Sequence, residues 1–348
     1  MKRALVIRAD ASTRIGTGHV MRCLALAQSW QDSGGRVIFA MGMEAPSLVD
    51  RLISEGMEVF RLSAEPGSSD DARKTAYLAH DVDSDWVVVD GYHFGSDYQR
   101  AIKRFDLCLL FIDDNGHADH YYADIVLNQN FHAKEALYRN REPYTKLLLG
   151  NRYVLLRREF WSWRGWNRET PEVARKVLVT LGGSDPDNVT LEVIRALEQA
   201  EVDGLEAVVV VGAVNPRYDE LNKLLESSKY NIRLESNVRD LPSLMAWADI
   251  AISAGGSTSW ELAFMGLPSL VIILAENQLH IAETLSIEKI AMQLGWYEDI
   301  SIMNIAQSVR QLVTSDKDRA DMVQNCQNAV DGKGILRIRV ALADGGGV

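Results

Sequence analysis

The sequence predicts an α/β protein built from two doubly wound domains that face each other across a cleft. Three observations predict it. Short β-rich runs alternate with helix-like stretches, and their apolarity is continuous, as expected of strands covered on both faces of a parallel sheet. The series breaks once, at 152–172, where "RYVLLRREFWSWRGWNRETPE" is rich in Arg and Trp and has no clean period. A second α/β series follows. A chain of 348 residues is long for one core and comfortable for two.

In order, the first domain, 1–150, carries the runs "ALVIRA" (4–9), "RVIFA" (36–40), "WVVVD" (86–90), "LCLLFID" (107–113), "DIVLN" (124–128) and "KLLLG" (146–150). Residues 151–172 read as a linker. The second domain, 173–330, carries "KVLVTL" (176–181), "EAVVVVG" (206–212), "NIRLES" (231–236), "DIAISA" (249–254) and "PSLVIIL" (268–274). A tail is assigned to 331–348, ending in "DGGGV", which is expected to be disordered. Ligands bind doubly wound sheets at the carboxyl ends of strands, so the loops that follow strands are where chemistry should lie.

Composition narrows the class. The chain is 47% hydrophobic and 24% charged, as soluble globular proteins are. A net charge of −11 argues against a nucleic-acid partner, which needs a basic surface. It leaves room for a nucleotide, whose phosphates backbone N–H groups can hold. Four apolar residues before Arg8 are too few for a signal-peptide core. The longest dense apolar stretch, 267–275, is under half a membrane span, so no membrane partner is expected. The three cysteines, Cys23, Cys108 and Cys326, are far apart and form no metal or redox spacing. A reduced, cytoplasmic protein is expected. No residue fixes its oligomeric state, and a monomer is the working expectation.

Three loops stand out. "TLGGSDPDN" (180–188) follows a strand and precedes a helix at 189–200. Gly182 and Gly183 allow close backbone approach, Ser184 can donate a hydrogen bond, and a phosphate would sit well at that helix start; the alternative is a simple tight turn. "ISAGGSTSWELAFMGLPSL" (252–270) repeats the design with Gly255, Gly256, Ser257 and Thr258, then a helix. Glu261 in that helix could accept from a ribose diol, or could simply complement the helix dipole. Together the two loops look like two donors gripping one diphosphate. The third loop, "IGTGH", puts His19 at a strand-to-helix turn. A helix N-terminus disfavours an extra positive charge, so a neutral imidazole able to accept a proton is expected there. Gly16 and Gly18 leave room for a substrate, with Arg8 and Asp10 at the head of the same stretch as further substrate contacts. The competing reading of His19 is a partly buried structural residue.

Weaker candidates complete the set. Asp90, Tyr92 and His93 end a strand in "DGYHF" and could face the cleft. "DDNGHADH" (113–120) could mimic a metal site but reads better as a solvated turn. The Asp-x-Asp patterns at 83–85 and 185–187 lie in polar or turn contexts and are not read as Mg²⁺ ligands. No metal and no cofactor is assigned.

With these residues assembled, the chain resembles the UDP-sugar hydrolases of pseudaminic acid biosynthesis, the PseG type. The resemblance covers residues 1 to about 295. It rests on six ordered blocks: "RADASTRIGTGHVMRCLALA", "VVVDGYHF", "FIDDNGHADHYYADIVLNQN", "LLLGNRYVLLRREF", "LGGSDPDN" and "ISAGGSTSWELAFMGLPSLVIILAENQ". That family is similar in fold to the GT-B nucleotide-sugar glycosyltransferases of the MurG type, with two facing Rossmann-like domains. The resemblance implies that His19 orients or deprotonates the water attacking C1 of a UDP-linked 2,4-diacetamido-2,4,6-trideoxy-L-altrose, with Tyr92 beside it. It implies nucleotide contacts from Gly182 to Ser184, Gly255 to Thr258 and Glu261, and sugar or phosphate contacts from Asn277 and Gln278. Residues after about 295 match no motif, and their helical pattern is expected to pack on the first domain. The main rival is a GT-B glycosyltransferase using a UDP-amino sugar donor. A noncatalytic nucleotide-sugar sensor is the second.

Overall fold

The computed structural model describes residues 4–12, 15–183, 185–212 and 215–345. The chain forms two units, one running to Arg158 and taken up again from Gly332, the other spanning Glu159–Asp331.

The first unit holds a seven-stranded, all-parallel sheet. Its strands are β1 (Ala4–Ala9), β2 (Arg36–Met41), β3 (Glu58–Arg61), β4 (Trp86–Asp90), β5 (Cys108–Ile112), β6 (Ile125–Asn128) and β7 (Lys146–Leu149), in the order β3-β2-β1-β4-β5-β6-β7. Every residue of β1 and β4 is buried, Arg8 and Asp90 included, which is why both read as nearly continuous apolar runs. β3 left no such signal. It is an edge strand, "EVFR", with none of its residues fully buried. The order reverses between β1 and β4, and at such a switch point the loops leaving the two strand ends diverge and open a crevice.

The second unit repeats the plan with six parallel strands: β8 (Lys176–Thr180), β9 (Glu206–Val211), β10 (Asn231–Ser236), β11 (Ile250–Ala254), β12 (Ser269–Ile273) and β13 (Ala291–Trp296). Their order is β10-β9-β8-β11-β12-β13, so the switch point lies between β8 and β11. There Ser253 Oγ donates to the Thr180 carbonyl at 3.0 Å and ties the two strand ends together. The edge strand β13 escaped the sequence reading because "AMQLGW" is mostly half-buried, and its register with β12 slips between Val271 and Ile272.

The 152–172 stretch is fastened at both ends. Arg158 N–H donates to Gln28 Oε1 at 2.7 Å in the first unit. In the second, Phe160 is buried and meets Phe264 edge-on, and Arg168 donates to the carbonyls of Met245, Met265 and Ala248. The chain end corrects one expectation. Asp344 and Gly345 are not disordered but close the helix Gly334–Gly345; residues 346–348 lie outside the described residues. That helix packs on the first unit, as expected of the residues after about 295, but the helices Ile302–Thr314 and Asp316–Ala329 depart from that expectation and pack within the second unit. Gly334 makes the approach possible, because a Cβ there would overlap the Val154 carbonyl. Among the described residues, no helix is long and apolar enough to cross a membrane.

Candidate active site

The carboxyl ends of β1, β4 and β5 gather a buried polar network. His19 is the second residue of the helix Gly18–Asp32, which starts after β1. Its Nδ1 lies 2.7 Å from Asp90 Oδ1 at the end of β4. The Arg22 Nη2 approach to the same nitrogen is longer, at 3.3 Å. A carboxylate can only accept, so Nδ1 carries the proton and Nε2 is left as the basic nitrogen, an assignment made from the partners. One turn along the helix, Arg22 grips both oxygens of Asp90, Nε to Oδ2 at 2.6 Å and Nη2 to Oδ1 at 2.7 Å. Its Nη1 reaches both oxygens of Asp114, at 2.7 and 2.9 Å. Asp114 also accepts from Tyr92 Oη at 2.8 Å and from Asn130 Nδ2 at 2.7 Å. The Tyr92 ring stands edge-on to His19, centroids 4.9 Å apart, and is partly exposed.

The electrostatics follow from this packing. Burial alone would raise the Asp90 carboxyl, but Arg22 and His19 hold it well below the ordinary carboxylate range. Asp114 is lowered in the same way, against burial, mainly by Arg22. Burial would lower Arg22, yet the two carboxylates push it well above its ordinary value. Burial and Asp90 together push the Cys23 thiol up, so it stays protonated.

Asp114 and Arg22 are the residues that sequence reasoning missed. The solvated turn expected at 113–120 does not form at its head: Asp113 and Asp114 are 1% and 4% exposed. Asp113 instead accepts from Tyr121, His117 and the N–H groups of Asn115 and Gly116. His120 pairs with Glu142 at 3.0 Å. Among the described residues, no group of His, Cys, Asp and Glu is arranged to hold a metal ion. A signal for Arg22 existed, since it lies three residues after His19 and shares its helix face.

Arg8 and Asp10 sit in a separate buried cluster. Arg8 is fully buried, and its guanidinium is committed to Asp71, Asp10 and the Ala40 carbonyl. Asp10 accepts from the N–H groups of Gly42 and Met43 at 2.7 and 3.1 Å. Neither residue offers surface to a ligand here. His93 faces Asp10 at 3.3 Å, so it does not join the His19 network. Gly16 carries a positive φ of 73° and closes a small bridge with Ser12, and Gly18 opens the helix.

In the second unit the two glycine loops differ. Asp185, not a ligand, fills the start of the helix Val189–Gln199: its carboxylate accepts from Val189 N–H at 2.9 Å and Thr190 N–H at 3.0 Å. The expected phosphate at that helix start is thus displaced by the chain's own anion. Asp185 is buried, a context the reading of 185–187 as polar or turn residues did not foresee. Gly182 and Gly183 stand ahead of this cap; a Cβ on Gly212 would overlap the Gly183 carbonyl. Ser184 lies outside the described residues. The loop after β11 is open. Gly255 N–H is used by the Ile272 carbonyl, but the N–H groups of Gly256, Ser257 and Thr258 meet no acceptor among the described residues. Glu261 is buried in the first turn of the helix Thr258–Phe264. Gln278 reaches this loop, its carbonyl 3.1 Å from where a Gly255 Cβ would stand, while Asn277 is exposed on the same short turn.

Comparison with known proteins agrees with this architecture. Residues 177–333 match the model of the glycosyltransferase family 28 C-terminal domain. An uncharacterized protein of Methanocaldococcus jannaschii is 29% identical over 80% of this chain and 56% of its own length. The chain therefore spans little more than half of that relative. The spore coat polysaccharide biosynthesis protein SpsG of Bacillus subtilis is 24% identical, with 97% of each chain covered. The UDP-2,4-diacetamido-2,4,6-trideoxy-beta-L-altropyranose hydrolase of Campylobacter jejuni is 26% identical over 79% of this chain and 93% of its own. Among solved structures, Acinetobacter baumannii MurG matches with a TM-score of 0.67 at 14% identity, covering 98% of this chain and 99% of that one. Spinosyn rhamnosyltransferase SpnG matches with a TM-score of 0.64 at 16% identity, covering 98% and 100%. The chain has the GT-B fold, two parallel-sheet α/β units in succession.

Proposed function

We propose that this chain hydrolyses a UDP-linked 2,4-diacetamido-2,4,6-trideoxy-L-altrose, releasing UDP and the free sugar for pseudaminic acid biosynthesis. The observation that carries the proposal is the His19–Asp90 pair at the β1/β4 switch point. A ring that donates through Nδ1 to a buried carboxylate is held in the tautomer whose Nε2 is a base. In the proposed step, Nε2 takes a proton from water while the water oxygen attacks C1. The bond from C1 to the diphosphate oxygen breaks, and UDP leaves with its electron pair. Asp90 stabilises the positive charge that the ring acquires. Tyr92, held by Asp114, lines the same site.

The second unit takes the nucleotide in this reading. The open N–H groups of Gly256, Ser257 and Thr258, with Gly182 and Gly183, meet the charge growing on the leaving diphosphate. Glu261 accepts from the ribose diol, and Asn277 and Gln278 approach the sugar or phosphate. The hydrolase relative from Campylobacter jejuni, similar over most of its length, supports the substrate class.

The test is incubation with UDP-2,4-diacetamido-2,4,6-trideoxy-β-L-altropyranose and no acceptor, beside a panel of UDP-2-acetamido sugars. The proposal requires equimolar UDP and free sugar at sustained turnover. Release that depends on an added acceptor would make the chain a transferase. UDP-sugar binding without turnover would make it a sensor.

A further inference from the structure

We propose that Arg22 is a positioning residue that fixes His19 and Tyr92 together, by bridging the two carboxylates on which they depend. The inference rests on the reading of His19 and Tyr92 as the groups that meet the substrate. Its geometry stands independently of that reading.

The bridge uses the shape of the guanidinium. One edge, Nε and Nη2, lies along both oxygens of Asp90 at 2.6 and 2.7 Å, while Nη1 turns to both oxygens of Asp114 at 2.7 and 2.9 Å. Asp90 accepts from His19, and Asp114 accepts from Tyr92. One side chain on the helix after β1 therefore sets where the ends of β4 and β5 present their acceptors. The clamp is buried: Arg22 is 7% exposed, Asp90 0% and Asp114 4%. Without the cation, two carboxylates would face each other out of water and repel. With it, each holds a fixed position, and the two rings stand edge-on at 4.9 Å. A lysine could supply the charge but not the planar fork, so it cannot satisfy both carboxylates in this geometry.

Two measurements on the full chain test the clamp, using Arg22→Lys and, as a second variant that keeps the guanidinium, Asp114→Asn. The first needs no turnover. Proton NMR of the ¹⁵N-histidine-labelled protein should show a downfield His19 Nδ1–H resonance, assigned by its loss in His19→Gln. It should shift or broaden in Arg22→Lys and in Asp114→Asn. An unchanged His19 resonance in either folded variant overturns the proposal. The second uses the UDP-linked diacetamido sugar as probe. Arg22→Lys should lower kcat about tenfold to a hundredfold, the range for misplaced groups, with KM and UDP affinity held. In the His19→Gln background, Arg22→Lys should cost less than it does in the wild type, because only the part that acts through Tyr92 remains. Additive losses would mean that Arg22 does not act through His19, and would overturn the proposal. Full turnover in His19→Gln would instead refute the base assignment, and the NMR measurement would then decide the clamp by itself.

Discussion

Replacing Asp90 by Asn tests the centre of the site with little change of shape. Asp90 accepts Arg22 Nε at 2.6 Å, Arg22 Nη2 at 2.7 Å, His19 Nδ1 at 2.7 Å and the Cys23 thiol at 3.4 Å. An amide has one oxygen. Turned toward His19 and Nη2, it points its NH₂ at Arg22 Nε and Cys23. Turned the other way, it points the NH₂ at His19 and Nη2. In both rotamers a buried donor meets a donor, and Arg22 keeps only Asp114 as a charged partner. Removing one partner of a buried ion pair costs about 3–5 kcal/mol. The amide oxygen keeps part of the bonding, so we expect about 3 kcal/mol. Turnover should fall more sharply, because the imidazole loses the acceptor that sets its tautomer. The same change in serine proteases lowers kcat about 10⁴-fold, and we expect at least about a hundredfold here.

Denaturant unfolding followed by tryptophan fluorescence and circular dichroism would measure the stability loss. A separate transition is fitted for each unit, since two units need not unfold as one. Isothermal titration with UDP serves as the control, because the proposed nucleotide loops lie in the other unit. A folded Asp90→Asn protein within about 0.5 kcal/mol of wild-type stability and with normal turnover would refute both the buried network and the role of His19.

Four further outcomes are expected. His19→Asn should stay folded, with a modest loss of stability of about 1–3 kcal/mol for the lost buried hydrogen bond, and retain UDP affinity while kcat falls about 10²–10⁴-fold; loss of folding or of UDP binding would return His19 to a structural role. Glu261→Ala should weaken UDP binding by about 1.5–3 kcal/mol, the range for hydrogen bonds to a charged group, as read by titration calorimetry. Stability should fall in acid: Asp90 and Asp114 are held below their ordinary carboxylate range, so their contribution is present above the unfolded value of about 3.9 and is lost as pH drops toward the depressed folded values. Circular dichroism melts between neutral and acid pH would show it, and Asp90→Asn should flatten the profile. Turnover should survive EDTA, because N–H groups meet the charge on the leaving diphosphate in the proposed reaction; loss on chelation, with recovery on adding a divalent ion, would contradict that step.

Much of the fold was legible because central parallel strands advertise themselves. The runs at 4–9, 86–90, 176–180 and 250–254 are covered on both faces and are dominated by apolar residues, with only Arg8, Asp90, Lys176, Thr180 and Ser253 polar among them. Of the four edge strands, β7 and β10 were read, but β3 and β13 were not, because almost none of their residues is fully buried and their sequences are not continuously apolar. The site divides along similar lines. His19 could be found from its place between a strand and a helix. Its partner Asp90 lies 71 positions away, and the Arg22–Asp114 pair spans 92. No local pattern encodes such distances; only the strand order β1-β4-β5 brings them together. Proximity in sequence also misled. Arg8 and Asp10 stand close to His19 along the chain, yet Arg8 sits on β1 with its side chain turned into a cluster with Asp71.

The two glycine loops show why a motif alone does not settle a binding site. Both follow the last buried residues of a central strand, both read Gly-Gly-Ser, and both precede a helix. What separates them is the next residue. After Ser184 comes Asp185, whose carboxylate reaches Val189 and Thr190 and satisfies that helix end from within. After Ser257 comes Thr258, and the donors from Gly256 to Thr258 stay open among the described residues. Free N–H groups in succession are what a diphosphate needs. A phosphate placed on Val189 and Thr190 would first have to expel a carboxylate of the same sign of charge. The second-unit loops should therefore contribute unequally: Asp185→Ala should cost stability, about 0.5–2 kcal/mol for a lost cap, and leave UDP affinity nearly unchanged. Substituting Pro for Ser257, which removes one open N–H, should weaken UDP binding with little loss of stability.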